Sequence, residues 1–185
     1  MKINIGGRQF SLTKLVCLIL YYTVAQYLPC SYSRIGGRTS QKIRRFLCVR
    51  IFKRAGVNIN VERKANFGSG LDIEIGDYSD LGINCHIPSD TIIGDNVMMA
   101  PNCFIFSQNH ETSDLSIPMN RQGFTERRVT IIEDDVWIGQ NVNMTPGRHI
   151  KKGTIIGACC LLCKDFPEYS VVGGNPSKFI KSRLV

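Results

Sequence analysis

The sequence has no apolar run long enough to span a membrane. Its best stretch, Leu15 to Leu28, covers 14 residues, against the roughly 20 that a spanning helix needs. Lys2, Arg8 and Lys14 precede it but no A-x-A cleavage pattern follows. The stretch therefore predicts a helix packed on the core or on a neighbouring subunit, with a membrane surface as a further contact. Zinc-type cysteine pairs are missing as well. Of the eight cysteines, Cys160 and Cys163 form a lone C-x-x-C directly after Cys159, without the second pair or the histidines a zinc site requires. Reduced core thiols are the better reading, and no metal is expected. A G-x-S-x-G elbow is absent, so a serine acyl-enzyme is not expected. Aromatics are scarce in the basic stretch, where Phe46 and Phe52 stand, and this argues against a nucleic-acid partner.

Acidic residues are absent from the segment Leu12 to about Ala55, which has helical character. Arg34, Arg38, Lys42, Arg44, Arg45, Arg50, Lys53 and Arg54 meet no Asp or Glu there, and Pro29 and Gly36–Gly37 mark turns. The expectation is a solvated basic helical face, with contact to an anionic surface as the alternative. Across all 185 residues, 43% are apolar and 21% charged, the balance of one soluble globular domain. The formal net charge of +8 suits an anionic partner: nucleic acid, a lipid surface or a phosphorylated small molecule.

What the sequence does carry is a rhythm. An aliphatic residue returns every six positions at Ile75, Leu81, Ile87, Ile93, Met99 and Ile105, and again at Ile132, Ile138, Met144, Ile150, Ile156 and Leu162. Glycine follows it at Gly76, Gly82, Gly94, Gly139 and Gly157. Four positions after the aliphatic comes a small or β-branched residue, as at Ser79, Cys85, Val97, Cys103, Val136, Val142, Thr154 and Cys160. A helix would instead need apolar residues at i, i+3, i+4 and i+7. A period of six predicts short strands alternating with tight turns, three hexads making one triangular coil of 18 residues that buries its core by stacking on the next. Glycine suits a turn where a side chain would clash or φ must be positive. The rhythm starts weakly at Val57, Val61 and Phe67, and it breaks between Ile105 and Ile132, where Asn109 to Val129 leave the coils. A long loop leaving a regular solenoid is usually functional.

Four stretches, in this order, resemble the hexapeptide-repeat acyltransferases, in particular the maltose/galactoside and polysaccharide O-acetyltransferase branch. They are I-G-D-N-V-M-M-A-P-N at 93–102, Q-N-H at 108–110, V-W-I-G-Q-N-V at 136–142 and V-V-G-G-N-P-S-K-F-I-K at 171–181. The resemblance implies a mainly β fold, a left-handed parallel β-helix with an N-terminal helical segment. Residues 1–56 would form that helical, basic segment, 57–166 the β-helix with an excursion at about 107–129, and 167–185 a C-terminal segment closing over coenzyme A. It further implies a homotrimer with active sites between subunits, acetyl-CoA as co-substrate, and a sugar or glycan hydroxyl as acceptor within polysaccharide or glycolipid assembly. The location it implies is cytoplasmic, with peripheral membrane contact drawn from the basic, apolar N-terminus. Two readings stand beside it: acetylation of a small xenobiotic or serine-type molecule, and a non-catalytic β-helix scaffold. The three histidines are few for the scaffold reading.

By the same resemblance His110, which opens the excursion, is the general base. An acceptor hydroxyl is a poor nucleophile at neutral pH, and an imidazole titrating near working pH can take its proton during attack on the thioester. Asn84 and Asp90 fall on the acceptor side, Asp90 either orienting His110, binding a sugar hydroxyl or serving a turn. His86 neighbours that side, and His149 is expected at a turn. The coenzyme A contacts implied are Trp137, Gly139, Gln140, Ala158, Cys163, Lys164, Lys178 and Lys181. The lysines would meet phosphates, and a backbone N–H near Gly139–Gln140 would meet the oxyanion. Trp137 could equally pack between subunits.

Overall fold

A computed structural model describes residues 2–5 and 7–184. Strands β1 (Lys2–Ile5) and β2 (Arg8–Ser11) pair as an antiparallel hairpin. Helices α1 (Leu12–Thr23) and α2 (Gly37–Ile51) follow. Then come two-residue strands: β3 (Arg54–Ala55), β4 (Asn60–Val61), β5 (Glu74–Ile75), β6 (Asp80–Leu81), β7 (Ile92–Ile93), β8 (Met98–Met99) and β9 (Phe104–Ile105). After the excursion they resume as β10 (Ile131–Ile132), β11 (Trp137–Ile138), β12 (Asn143–Met144), β13 (His149–Ile150), β14 (Ile155–Ile156) and β15 (Leu161–Leu162). β16 (Ser170–Gly173) and β17 (Lys178–Ser182) close the chain.

The hexad explains the strands. Each pair turns its second residue into the prism and its first outward, because alternate residues of a strand face opposite sides. All twelve rhythm aliphatics are buried, none more than 5% exposed. The strands stack in parallel into three faces. β3, β5, β7, β10 and β13 form one, β8, β11, β14 and β16 lie on the second with β4 and β6, and β9, β12 and β15 lie on the third. Ile132 pairs with Ile150 and Met144 with Leu162, so one coil is 18 residues. Ile93 pairs with Ile132, 39 positions on, so the excursion adds 21 residues without shifting the register.

Two expectations need correction at the N-terminal end. Val57 is 57% exposed; Ala55 on β3 holds that phase instead, because Ile51 and Phe52 already fill the end of the prism. The basic face is not simply solvated. Arg44 is wholly buried, and its guanidinium donates to the carbonyls of Val61 at 2.6 Å and Pro29 at 2.9 Å and to Glu62 at 3.3 Å. Lys14 donates to the carbonyls of Ile51 and Phe52, satisfying the C-terminal end of α2. Tyr21 of α1 donates its hydroxyl to Ala65 O at 2.8 Å and lies 4.7 Å from the Phe67 ring. The helix pair is thus the cap of the β-helix. Among the described residues no helix is long and apolar enough to cross a membrane.

The turns divide two jobs that the sequence reading gave to one glycine. Positive φ falls three positions after the aliphatic, at Asn84, Asn96, Asn102 and Asn141, where short polar side chains tolerate the left-handed region. The glycine directly after the aliphatic is needed for space: a Cβ on Gly139 would stand 2.6 Å from Ala158 N of the next coil. Stacked corners form ladders. Asn84 donates to Asn102 at 3.0 Å, and Asn102 to Asn141 at 3.1 Å.

Asp80 faces outward on β6, yet its surroundings disfavour its charge. Burial, reinforced by Glu62, pushes its pKa up to about 6, although its Oδ1 accepts from Met99 N at 2.6 Å. The native state therefore binds this proton more tightly than the unfolded chain, where an aspartate titrates near ~3.9. Its stabilising contribution is present below that value and lost as pH rises through about 6, a difference of roughly 3 kcal/mol. Asp80→Asn keeps the acceptor and removes the titration. Urea unfolding should show the variant gaining on wild type between pH 4 and pH 7.5; a constant difference would refute the assignment.

Candidate active site

The excursion leaves after β9 and folds back on itself. Thr125 N donates to Asn109 O at 2.8 Å, Glu111 N to Gly123 O at 3.2 Å and Arg128 N to Ser107 O at 2.9 Å, making an arm with His110 bridged to Phe124. Its tip is tied by Gln122, whose amide donates to the carbonyls of Asp114 and Ile117. The His110 imidazole is exposed and rests on the Phe124 ring at 4.5 Å, tilted by 32°. Stacking, not a hydrogen bond to a carboxylate, sets its pose among the described residues.

Asp90 is engaged elsewhere. Both of its carboxylate oxygens accept from Arg127 on the returning arm, at 2.7 and 3.0 Å, a bidentate pair of the strong, orienting kind. Arg127 was not visible as a site residue in the sequence, because its partner lies 37 positions away and no short motif joins them. The pair borders a cleft of about 310 Å3 lined by Asn66, His86, Phe104, Ser107 and Arg127. His86 stacks on Phe104 with ring centres 4.9 Å apart and planes 16° apart. Asn84 sits at its coil corner with its amide in the ladder. His149 lies on β13, not at a turn, and meets Glu133 at 2.7 Å, with Lys151 3.3 Å from the same carboxylate. Burial raises the Glu133 carboxyl, but the Lys152 N–H, His149 and Lys151 together hold it low.

On the other side Gly139, Gln140 and Ala158 form one column at the corner after β11 and β14, Gln140 O accepting from Cys159 N at 2.8 Å. Gly139 N–H is already given to Ile156 O at 2.8 Å; the Gln140 N–H has no partner among the described residues. Trp137 is 49% exposed on the second face, paired with Met98 and Ile155. The Cys163 sulfur and the Ser177 hydroxyl share a hydrogen bond at 3.4 Å, and the Ser177 hydroxyl oxygen accepts from Cys163 N. That bond, with Lys164 nearby, lowers the thiol pKa. Lys164 lies 5.5 Å over the Phe166 ring, and Lys178 and Lys181 are exposed on β17. The sequence reading missed Ser177, whose hydroxyl holds Cys163 in place.

The thiols should sort by this geometry. Brief alkylation of the native protein labels Cys163 and the exposed Cys159, and spares the buried Cys17, Cys48, Cys85 and Cys103, because thiolate character and access decide reactivity. Burial pushes the Cys103 thiol up to about 11. Peptide mapping by mass spectrometry checks this; early labelling of Cys103 would contradict the packing.

No protein-family model matches the sequence. Among individual proteins, the chain is 31% identical to galactoside O-acetyltransferase of Escherichia coli K12 over 140 residues, 75% of this chain and 68% of that one. It superposes on a galactoside acetyltransferase solved in complex with coenzyme A with a TM-score of 0.73 at 28% identity, covering 92% of this chain and 80% of the other. A maltose O-acetyltransferase from Clostridium difficile 630 gives 0.72 at 29% identity, covering 92% and 86%. Against three other curated relatives the chain spans 31%, 63% and 57% of their length. With the stacked hexads, the excursion and these likenesses together, the chain belongs to the hexapeptide-repeat acetyltransferase family of the galactoside and maltose O-acetyltransferase type.

Proposed function

We propose that the protein transfers an acetyl group from acetyl-CoA to a sugar hydroxyl, with His110 as general base, in polysaccharide or glycolipid assembly. The observation that carries the proposal is the position of His110 on an arm that interrupts an otherwise unbroken register of coils. The imidazole takes the acceptor proton, the oxygen attacks the thioester carbonyl, and the carbon–sulfur bond then breaks to release coenzyme A. The Gln140 N–H is the free donor suited to the oxyanion. Acetyl-CoA lies against Trp137, Gly139, Gln140, Ala158 and Cys163, and Lys164, Lys178 and Lys181 meet its phosphates. Asp90 acts through Arg127, which it holds beside the His86–Phe104 stack; Asn84 supports the corner behind them.

The working form is a homotrimer whose sites lie between subunits. His110 lines neither the acceptor-side cleft nor the hollow at the base of the arm, and the arm exposes Leu115 at 99% and Met119 at 63%. A neighbouring subunit would cover those apolar side chains and complete the wall facing His110. Among the described residues no group of three or more side chains is placed to hold a metal ion.

The test is release of free thiol from acetyl-CoA across a panel of mono- and disaccharides and lipid-linked glycans, with mass spectrometry of the products. An acetylated sugar is the expected result. Binding of coenzyme A with no acetylated sugar would move the acceptor to another class, and absence of coenzyme A binding would overturn the whole reading.

A further inference from the structure

The outward side of the helix pair combines uncovered apolar side chains with cations that lack acids. α1 exposes Leu12, Val16, Ile19 and Leu20, and α2 exposes Ile43, Phe46 and Val49. Leu20, Val24, Ile43 and Phe46 line a groove of about 420 Å3 between the helices, interrupted by Thr39 and Lys42 as its polar members. At Thr39 it adjoins a polar hollow of about 510 Å3 that includes Ser31, Arg34 and Arg38. The first 61 residues hold 11 Lys and Arg and no Asp or Glu. Arg44, Lys14, Arg45, Arg50, Lys53 and Arg54 are committed to carbonyls, Glu62 or Glu74. Arg34, Arg38 and Lys42 have no side-chain partner among the described residues; Lys42 lines the groove, and Arg34 and Arg38 line the hollow beside it.

We infer that this face docks on an anionic lipid bilayer. The apolar stripe lies at the boundary between headgroups and acyl chains, and Arg34, Arg38 and Lys42 meet lipid phosphates. Shallow insertion of this kind needs an apolar helix face a few ångströms deep with a basic rim, not a span. The 12 residues of α1 could not cross. A second copy placed face to face would cover the groove only by bringing together two surfaces with cations and no acids, which repel. An acidic soluble partner would answer the charge but leave no reason for the apolar stripe beside it. Because the helices cap one end of the prism, docking there leaves the His110 arm on the side of the coils free. The inference stands apart from the acetyl-transfer reading, since lipid partition needs no acetyl-CoA.

The test is co-sedimentation of the full chain with vesicles of phosphatidylcholine alone and of phosphatidylcholine mixed with phosphatidylglycerol. Wild type is expected on the anionic vesicles only, and less so as salt is raised. Arg34→Gln/Arg38→Gln/Lys42→Gln should lower partition on the order of 100-fold, and Ile43→Ser/Phe46→Ser should abolish it. Both variants change exposed positions, so their unfolding curves should match wild type. Failure to bind anionic vesicles, equal binding to neutral ones, or unchanged binding by either variant would overturn the inference. So would a fall in oligomeric mass of Ile43→Ser/Phe46→Ser by light scattering, which would assign the groove to a second copy. Retained thiol release on a soluble sugar by the variants separates this outcome from failure of the catalytic reading.

Discussion

If His110 is the base proposed above, replacing it by alanine should lower kcat for acetyl transfer by about 10²–10⁴-fold and leave KM for acetyl-CoA nearly unchanged. The size follows from the chemistry: without a base the acceptor must attack as a neutral hydroxyl, and among the described residues no other titratable side chain is bridged or stacked to the arm at that point. The split between kcat and KM follows from placement. His110 belongs to the arm, whereas Gln140, Ala158 and Cys163 belong to coil corners that the substitution does not touch. The imidazole is exposed and has the Phe124 ring as its packing partner, so the variant should fold and assemble as wild type does. Single-turnover measurements with saturating acetyl-CoA isolate the transfer step. Undiminished turnover in His110→Ala would remove the base from the mechanism. His149→Ala is the contrasting control, since that ring is held by Glu133 on a different face and should change turnover little.

The coils were legible because their cause is local and repeated. One inward aliphatic per hexad is a constraint each residue carries alone, and all twelve positions are buried as the rhythm requires. The candidate site was legible only in outline. His110 stood out because the register breaks around it, but the Asp90–Arg127 pair joins a coil to the returning arm across 37 positions, a distance over which spacing carries no signal. Ser177 was hidden for the same reason: its bond to Cys163 links the closing segment to the last coil. The turn chemistry was half visible. Glycine marks where the next coil comes close, whereas asparagine and aspartate mark where the chain turns left-handed, and both roles look like turn signal in a sequence. Arg44 was misplaced because composition sees a basic segment without acids, and its acid, Glu62, lies beyond that segment on the first coil.

That ion pair sets the second large expectation. Arg44→Ala should destabilise the protein by about 3–5 kcal/mol, because removing one partner strands the other in a buried place. A loss of that size is a large part of the 5–15 kcal/mol typical of a domain. Four groups lose their donor at once: the carbonyls of Val61, Pro29 and Leu28 and the carboxylate of Glu62. Burial works against Glu62 being charged, and Ser31, Asn60 and Arg44 together still hold its pKa below the usual value. Its contribution is therefore present at neutral pH and lost as pH falls through that lowered pKa, so the variant should lose less, relative to wild type, in acid. Arg44→Lys should recover little, since a single ammonium cannot replace a guanidinium fork that serves three carbonyls and a carboxylate. Arg44→Met/Glu62→Gln should be more stable than Arg44→Ala, because no buried charge is left alone. Urea unfolding at fixed protein concentration reads all three. A loss under 1 kcal/mol for Arg44→Ala would mean that water reaches the pair. In that event the helix cap would be held by Tyr21, Ile51 and Phe52 against Phe67 alone, and the first coil would depend on apolar contact rather than on this bond for its cover.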